Sequence, residues 1–218
     1  MFRAGRTTPL TCSGGAAVAF GTTMATDRYR SFADLAAQEV EHVDYRICAV
    51  ARREDVLIVA PHGGHIEPST SAVARAIAAD DLSLYLFEGL KPERAHADLH
   101  ITSARLDEPQ AIALATSAHR IVTVHGRSWR GDSRAVWLGG LDGDAREAIA
   151  VSLDRAGFAV RNPGDGLFAL DPMNICNRGL TGKGVQLELP RRLRDSMVAD
   201  AAHMTRFAEA IRAVILAS

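Results

Sequence analysis

The sequence lacks an excess of charge of either sign, a long apolar run and a usable set of cysteines. Lys plus Arg number 25 and Asp plus Glu 26, for a formal net charge of −1. No long run of one sign appears, so nucleic acid is not expected as a bulk partner. No stretch approaches the ~20 consecutive apolar residues that a membrane-spanning helix needs, and no membrane partner is expected. The three cysteines, Cys12, Cys48 and Cys176, include no pair at CxxC spacing, which argues against both a disulfide framework and a cysteine zinc knuckle. The serine-hydrolase elbow GxSxG, the Walker A loop and GxGxxG are absent too. Residues 1–26 hold Arg3 and Arg6 and then a small-residue run from Gly14 to Gly21. That is a poor signal peptide, and the segment reads as a disordered extension ahead of a domain over 27–218. The expected location is cytoplasmic or released.

What remains is ordinary globular composition, 47% hydrophobic and 23% charged over 218 residues, enough for one domain with a real core. The pattern predicts helices over Ser31–Val40, Ser69–Ala79, Glu108–Ala118, Ala145–Ala156 and Ala199–Ala217. Strands are predicted over Tyr45–Val50, Val56–Ala60, Leu82–Phe87, Leu99–Thr102, Arg120–Val124, Ala135–Leu138, Phe158–Arg161 and Val185–Leu189. Alternating strands and helices give a single α/β domain with a mixed central sheet flanked by helices. The long loop over 162–183 is a candidate wall of a substrate site.

Two apolar strands end at a histidine. Val56–Ala60 runs into Pro61-His62-Gly63-Gly64-His65-Ile66-Glu67-Pro68, with the glycines expected in a loop, and Ile121-Val122-Thr123-Val124 runs into His125-Gly126. Ligands in open α/β sheets sit beyond the carboxyl ends of strands. His62, His125 and Glu67 together make two imidazoles and a carboxylate, a standard catalytic zinc set with the fourth position open. Taken singly, each has a plain alternative: a hydrogen-bonded structural histidine, or a glutamate placed at a helix start. His65 competes as a ligand but reads better as an outer partner of the ligands or as solvent-facing, and His100, which could face the crevice, reads better as an ordinary surface residue. In a strand at 185–189, Val185, Leu187 and Leu189 share one face and Gln186 and Glu188 the other. A carboxylate on a buried strand needs a partner or a purpose, so Glu188 is either a general base or an ion-pair partner of an arginine.

The segments His62–Thr70, Leu84–Leu90, Leu99–Ser103, Asp107–Ala111, Asn174–Asn177 and Gly184–Leu189 together resemble the phage-type poly-γ-glutamate hydrolases, in order from about Asp44 to Arg194. That family resembles a compact zinc carboxypeptidase, and its members cut the γ-glutamyl amide of capsular poly-γ-glutamate. The resemblance implies one zinc per chain held by His62, Glu67 and His125, with Glu188 as the catalytic glutamate. Carboxypeptidases usually place two residues between the first His and the Glu; this chain has four, as the poly-γ-glutamate hydrolases do. The implied partner is an anionic glutamate polymer, with Arg191 and Arg194, then Arg178, as candidate carboxylate clamps. The alternatives are a zinc amidase or deacylase of a small acyl-amino acid, similar to aspartoacylase, and a non-catalytic anion-binding module. Because Gly, Ser and Thr in the extension bury little apolar surface, removing residues 1–23 is expected to leave Tm and activity unchanged. A drop of several degrees in a melting scan of the truncated protein shows instead that the extension packs on the domain.

Overall fold

The computed structural model describes residues 27–53, 55–127, 134–161 and 168–217. The extension over 1–26 and the start of the loop at 162–183 lie outside them, the latter through residue 167. Among the described residues, β1 (Tyr45–Val50), β2 (Val56–Gly64), β3 (Ser83–Gly89), β4 (Arg120–Arg127), β5 (Val136–Gly139), β6 (Val160–Arg161) and β7 (Val185–Pro190) form one sheet in the order β1-β3-β2-β4-β7-β5-β6. The central strands β3, β2, β4 and β7 run parallel, while β1 joins β3 and β5 joins β7 antiparallel. This is the mixed sheet that the sequence predicts. Strands such as Val56–Ala60 are apolar at every position because both faces are covered.

One face packs on α2 (Thr70–Ala78), α5 (Gly143–Arg155), α6 (Arg191–Ala199) and α7 (Ala201–Ile215). Ile58, Ala60, Val122, Val124, Val185, Leu187 and Leu189 meet Val73, Ile77, Leu153, Met197, Phe207 and Ile211 there. The other face packs on α1 (Phe32–Ala36), α3 (Ala95–Leu99) and α4 (Pro109–Ser117). Leu57, Val59, Tyr85, Phe87 and Ile121 meet Leu35, Leu99, Ala111 and Ala115 there.

Several expectations need correction. The helix predicted to reach Val40 stops at Ala36, and Val40 is exposed. Leu99–Thr102 is no strand: α3 ends at Leu99 and the following residues are extended without a ladder. The buried Leu99 and Ile101 supply strand-like alternation, but no neighbouring strand takes up the backbone. The predicted closing helix is α7, and a separate helix, α6, which the sequence reading did not anticipate, precedes it. α6 starts directly after Pro190, and Asp200 ends it and caps α7 by accepting from the amides of Ala202 and His203. In the described part of the long loop, Asn177 ties the turn together: its amide donates to the carbonyls of Ala169 and Asp171, and its oxygen accepts from Leu141 and Gly184.

His62, Gly63 and Gly64 are not a loop but the end of β2. The register against β3 shifts between Ala60 and Gly63, so β2 uses three steps where β3, from Leu86 to Glu88, uses two. Pro61 falls inside this bulge, where its missing N–H breaks no ladder bond. The extra residue reverses the alternation. Ile58 and Ala60 face the α2 side, yet His62, also an even position, reaches Ile101 on the α3 side.

Gly64 closes the strand at φ +63 with its Cα against the Gly89 carbonyl. Gly182 shares the left-handed backbone, at φ +66, but faces open space. Gly182→Ala is therefore expected to cost only the backbone term of ~1–2 kcal/mol. Gly64→Ala adds a clash with backbone and is expected to lower stability by more than twice that amount. Denaturant melts of the two variants measure the difference, and equal losses show that the β2–β3 approach is not tight.

Candidate metal centre

The ladder between β2 and β4 ends at Val59 and Thr123. Beyond that point the strands part, and the space between them receives His62, His125 and Glu67. One potential ligand atom from each lies within 4.8 Å of the others, and all three residues are buried. His62 arrives by the bulge. His125 arrives by plain alternation on β4, on the face opposite Val122 and Val124. Glu67 arrives through a tight turn in which its amide donates to the His62 carbonyl at 2.9 Å, followed by Ser69 at φ +76 and the start of α2.

Second partners fix each group. His62 Nε2 lies 2.8 Å from the Ile101 carbonyl, which only accepts, so Nε2 carries the hydrogen and Nδ1 keeps its lone pair in the neutral ring. That Nδ1 lies 3.2 Å from His125 Nδ1 and 3.2 Å from Glu67 Oε1. His125 Nε2 meets the Ser103 hydroxyl at 3.3 Å, and the Gly126 amide donates to Glu67 Oε2 at 2.6 Å. Two imidazoles and a carboxylate, each able to offer an electron pair once deprotonated, therefore face one another in a buried space. Without metal a shared proton can bridge them, and the donor set fits a divalent metal of the zinc type.

The titration behaviour without metal has the same origin. Burial pushes the Glu67 carboxyl up, but the two imidazoles and the Gly126 amide outweigh it and hold the group at about 2. Burial pushes His62 down, and Glu67 and the Ile101 carbonyl bring it above its ordinary value. His125 stays low, at about 3, because burial and the neighbouring His62 and His100 disfavour its charge.

Glu188 is the register partner of His125 on the adjacent parallel strand, so the two share a face of the sheet. Burial, then the negative charge of Glu67, raises its carboxyl to about 8, against the lowering effects of Gln186, Arg127 and Arg194. Gln186 donates to Glu188 Oε1 at 2.8 Å and accepts from the Asn174 amide at 3.1 Å. Because its oxygen is taken by Asn174, the Gln186 amide is oriented as a donor, which favours the ionised Glu188.

The candidate arginines have partners of their own. Arg178 donates to the carbonyls of Met173, Leu106 and Ala104. Arg191 is half exposed and bonded to Asp195. Arg194 is buried, donates to the carbonyls of Leu189 and Pro68, and lies flat against Gly126, where a Cβ would come 2.6 Å from its Cζ. His65 is exposed, as expected. His100, expected on the surface, instead packs its ring 4.0 Å from that of His62. Arg127, which the sequence did not single out, is buried two residues past His125 with its guanidinium 4.0 Å over Trp137. Ser103, Asn174 and Gln186 were also missed as site residues. Gln186 had a visible signal, since it shares a strand face with Glu188; Ser103 had none.

Comparison with known proteins places the chain in a family. The chain is 36% identical over 177 residues to protein YmaC of Bacillus subtilis (strain 168), covering 80% of this chain and 73% of that one. The structure of a bacteriophage poly-gamma-glutamate hydrolase superposes with a TM-score of 0.80 at 31% identity, over 88% of this chain and 98% of that one. A zinc-free structure of YndL superposes with a TM-score of 0.77 at 30% identity, with the same coverage. Residues 29–213 match the family described as poly-gamma-glutamate hydrolase, and the chain belongs to that family and is a hydrolase.

Proposed function

We propose that this hydrolase is zinc-dependent and cuts the γ-glutamyl amide bonds of poly-γ-glutamate. The observation that carries the zinc is the meeting of the His62 and His125 imidazoles with the Glu67 carboxylate in one buried space, with His62 Nδ1 left with its lone pair by the Nε2 bond to Ile101 and Glu67 held by the Gly126 amide. Family membership and the likeness to the bacteriophage enzyme support the glutamate polymer as substrate.

His62, Glu67 and His125 would hold the metal, leaving one position open. Zinc there supplies Lewis acidity to a scissile carbonyl and to a water molecule. Glu188 takes a proton from that water and returns it to the leaving amine. Its environment suits both the uptake and the return of the proton. Burial keeps its proton affinity high, and the Gln186 amide keeps the ionised form from being orphaned. Sharing one sheet face with His125 puts Glu188 on the side of the sheet where the metal would be held.

Incubation with poly-γ-glutamate, with and without a chelator, followed by sizing of the products, tests the reading. Shortening that stops with chelator supports it. Cleavage of a small N-acyl glutamate with the polymer left intact moves the substrate to the acyl-amino acid class. Glu188→Gln is expected to keep zinc, measured by elemental analysis, and to lose about 10²-fold or more in turnover. His125→Ala is expected to lose the metal; full zinc in that variant removes His125 from the ligand set.

The raised Glu188 also predicts a pH effect in metal-free protein. A carboxyl raised to about 8 in the folded state, against its ordinary value of 4.5, binds its proton more tightly folded than unfolded. It contributes stability below about 4.5, and that contribution is lost as pH rises through about 8. With chelator present, Tm of the native protein is therefore expected to fall relative to Glu188→Gln between pH 5 and pH 9, by several degrees. Parallel Tm curves for the two proteins place Glu188 in a solvated or fully paired state.

A further inference from the structure

Asp27 lies outside the segment matched to the family and far in sequence from every residue of the metal centre. Its side chain is nonetheless 5% exposed and accepts from four donors. Oδ1 takes His100 Nδ1 at 2.7 Å. Oδ2 takes the Thr102 amide, the Thr102 hydroxyl and Arg105 Nη2, each at 2.7 Å. Although burial pushes the Asp27 carboxyl up, these donors hold it well below the usual carboxylate range.

All four donors belong to one short stretch, residues 100–105, which has no ladder to hold it. That stretch supplies the outer partners of both histidines: the Ile101 carbonyl takes His62 Nε2 and the Ser103 hydroxyl meets His125 Nε2. The His100 ring, aimed by Asp27, packs on the His62 ring at 4.0 Å. The far side of the stretch is tied down separately, by Ile175 donating to the Ser103 carbonyl and by Arg178 donating to Ala104.

The geometry points to Asp27 as a positioning residue for the metal centre: by gathering residues 100–105 it sets the tautomer of His62 and the aim of both His62 and His125, and so the affinity for the metal. The inference rests on the zinc reading above. Asp27 touches neither ligand, and its effect passes through the Ile101 carbonyl, Ser103 and His100. Outer partners of metal-binding histidines typically change affinity by 10–100-fold when removed.

The test is zinc affinity by competition with a chromophoric chelator, with zinc alone as the probe, alongside Tm of each protein without metal. Asp27→Asn is expected to bind zinc about 10–100-fold more weakly than the native chain. Thr102→Val keeps the backbone amide, removes one donor at an exposed position and is expected to fold; a loss of about 3-fold is expected, intermediate between native and Asp27→Asn. Glu39→Gln serves as a control for lost stability. Glu39 is a buried carboxylate that accepts from Tyr29 and Lys91 and pairs with Arg28, and none of these partners belongs to residues 100–105. It is expected to lower Tm without changing zinc affinity. Native affinity in Asp27→Asn, or an equal loss in Glu39→Gln, overturns the proposal. Should Asp27→Asn fail to fold, native affinity in Thr102→Val overturns it. A native chain that does not compete for zinc overturns the metal reading itself, an outcome distinct from any difference between variants.

Discussion

The burial of two imidazoles and a carboxylate in one small space is the constraint around which this molecule is built. Two imidazole nitrogens 3.2 Å apart, with a carboxylate oxygen at the same distance from one of them, meet only where the backbone places them. Each is held by something that has no freedom to give way. A bulge holds His62, strand alternation holds His125, and the Gly126 amide holds Glu67. The sheet supplies this rigidity because its central strands are covered on both faces. Arg194 belongs to the same arrangement: it spans from the Leu189 carbonyl to the Pro68 carbonyl, joining the end of β7 to the turn that carries Glu67.

The chemistry follows from unequal treatment of carboxylates in one dry region. Glu67 faces two imidazoles and a backbone amide and stays ionised, whereas Glu188 faces a neutral amide and the charge of Glu67 and keeps its proton to about 8. Environments that push two acids apart in this way suit one to hold a cation and the other to transfer a proton, the two roles proposed above. The small shell of Asn174, Gln186 and Glu188 makes the second role orderly, since every hydrogen bond in it has a fixed direction.

Much of this was legible in the sequence, for identifiable reasons. Buried parallel strands advertise themselves as runs of branched apolar residues, and Val56–Ala60 and Ile121–Val124 did so. The histidines at their ends were visible as ligand candidates because strand ends face the crevice in such sheets. The alternation of Val185, Leu187 and Leu189 against Gln186 and Glu188 held residue for residue. What escaped is what depends on long-range closure. The bulge at Pro61 is set by the pairing of β2 with β3, and neither strand states it alone. Leu99–Thr102 looks like a strand because its outward pattern alternates, yet hydrogen bonds donated by residues 100–105 to Asp27, and by Arg178 to the Ala104 carbonyl, define the stretch. The arginines were visible as charges, but whether a guanidinium meets solvent or a carbonyl is decided by residues more than 70 positions away, as for Arg178 and Leu106.

The bulge in β2 acts as a phase shifter. Upstream of it, even positions belong to one side of the sheet; downstream, they belong to the other. Side-chain identity on β2 is therefore free to drift within the apolar class, but its length is not. Deleting or adding one residue between Ala60 and Gly63 would leave composition and hydropathy almost untouched and still turn His62 away from His125. The meeting of His62 with His125 and Glu67 thus depends on a parity, an odd or even count along a strand, as much as on the identity of the three side chains. Such a dependence makes this stretch intolerant of insertions even where it tolerates substitution.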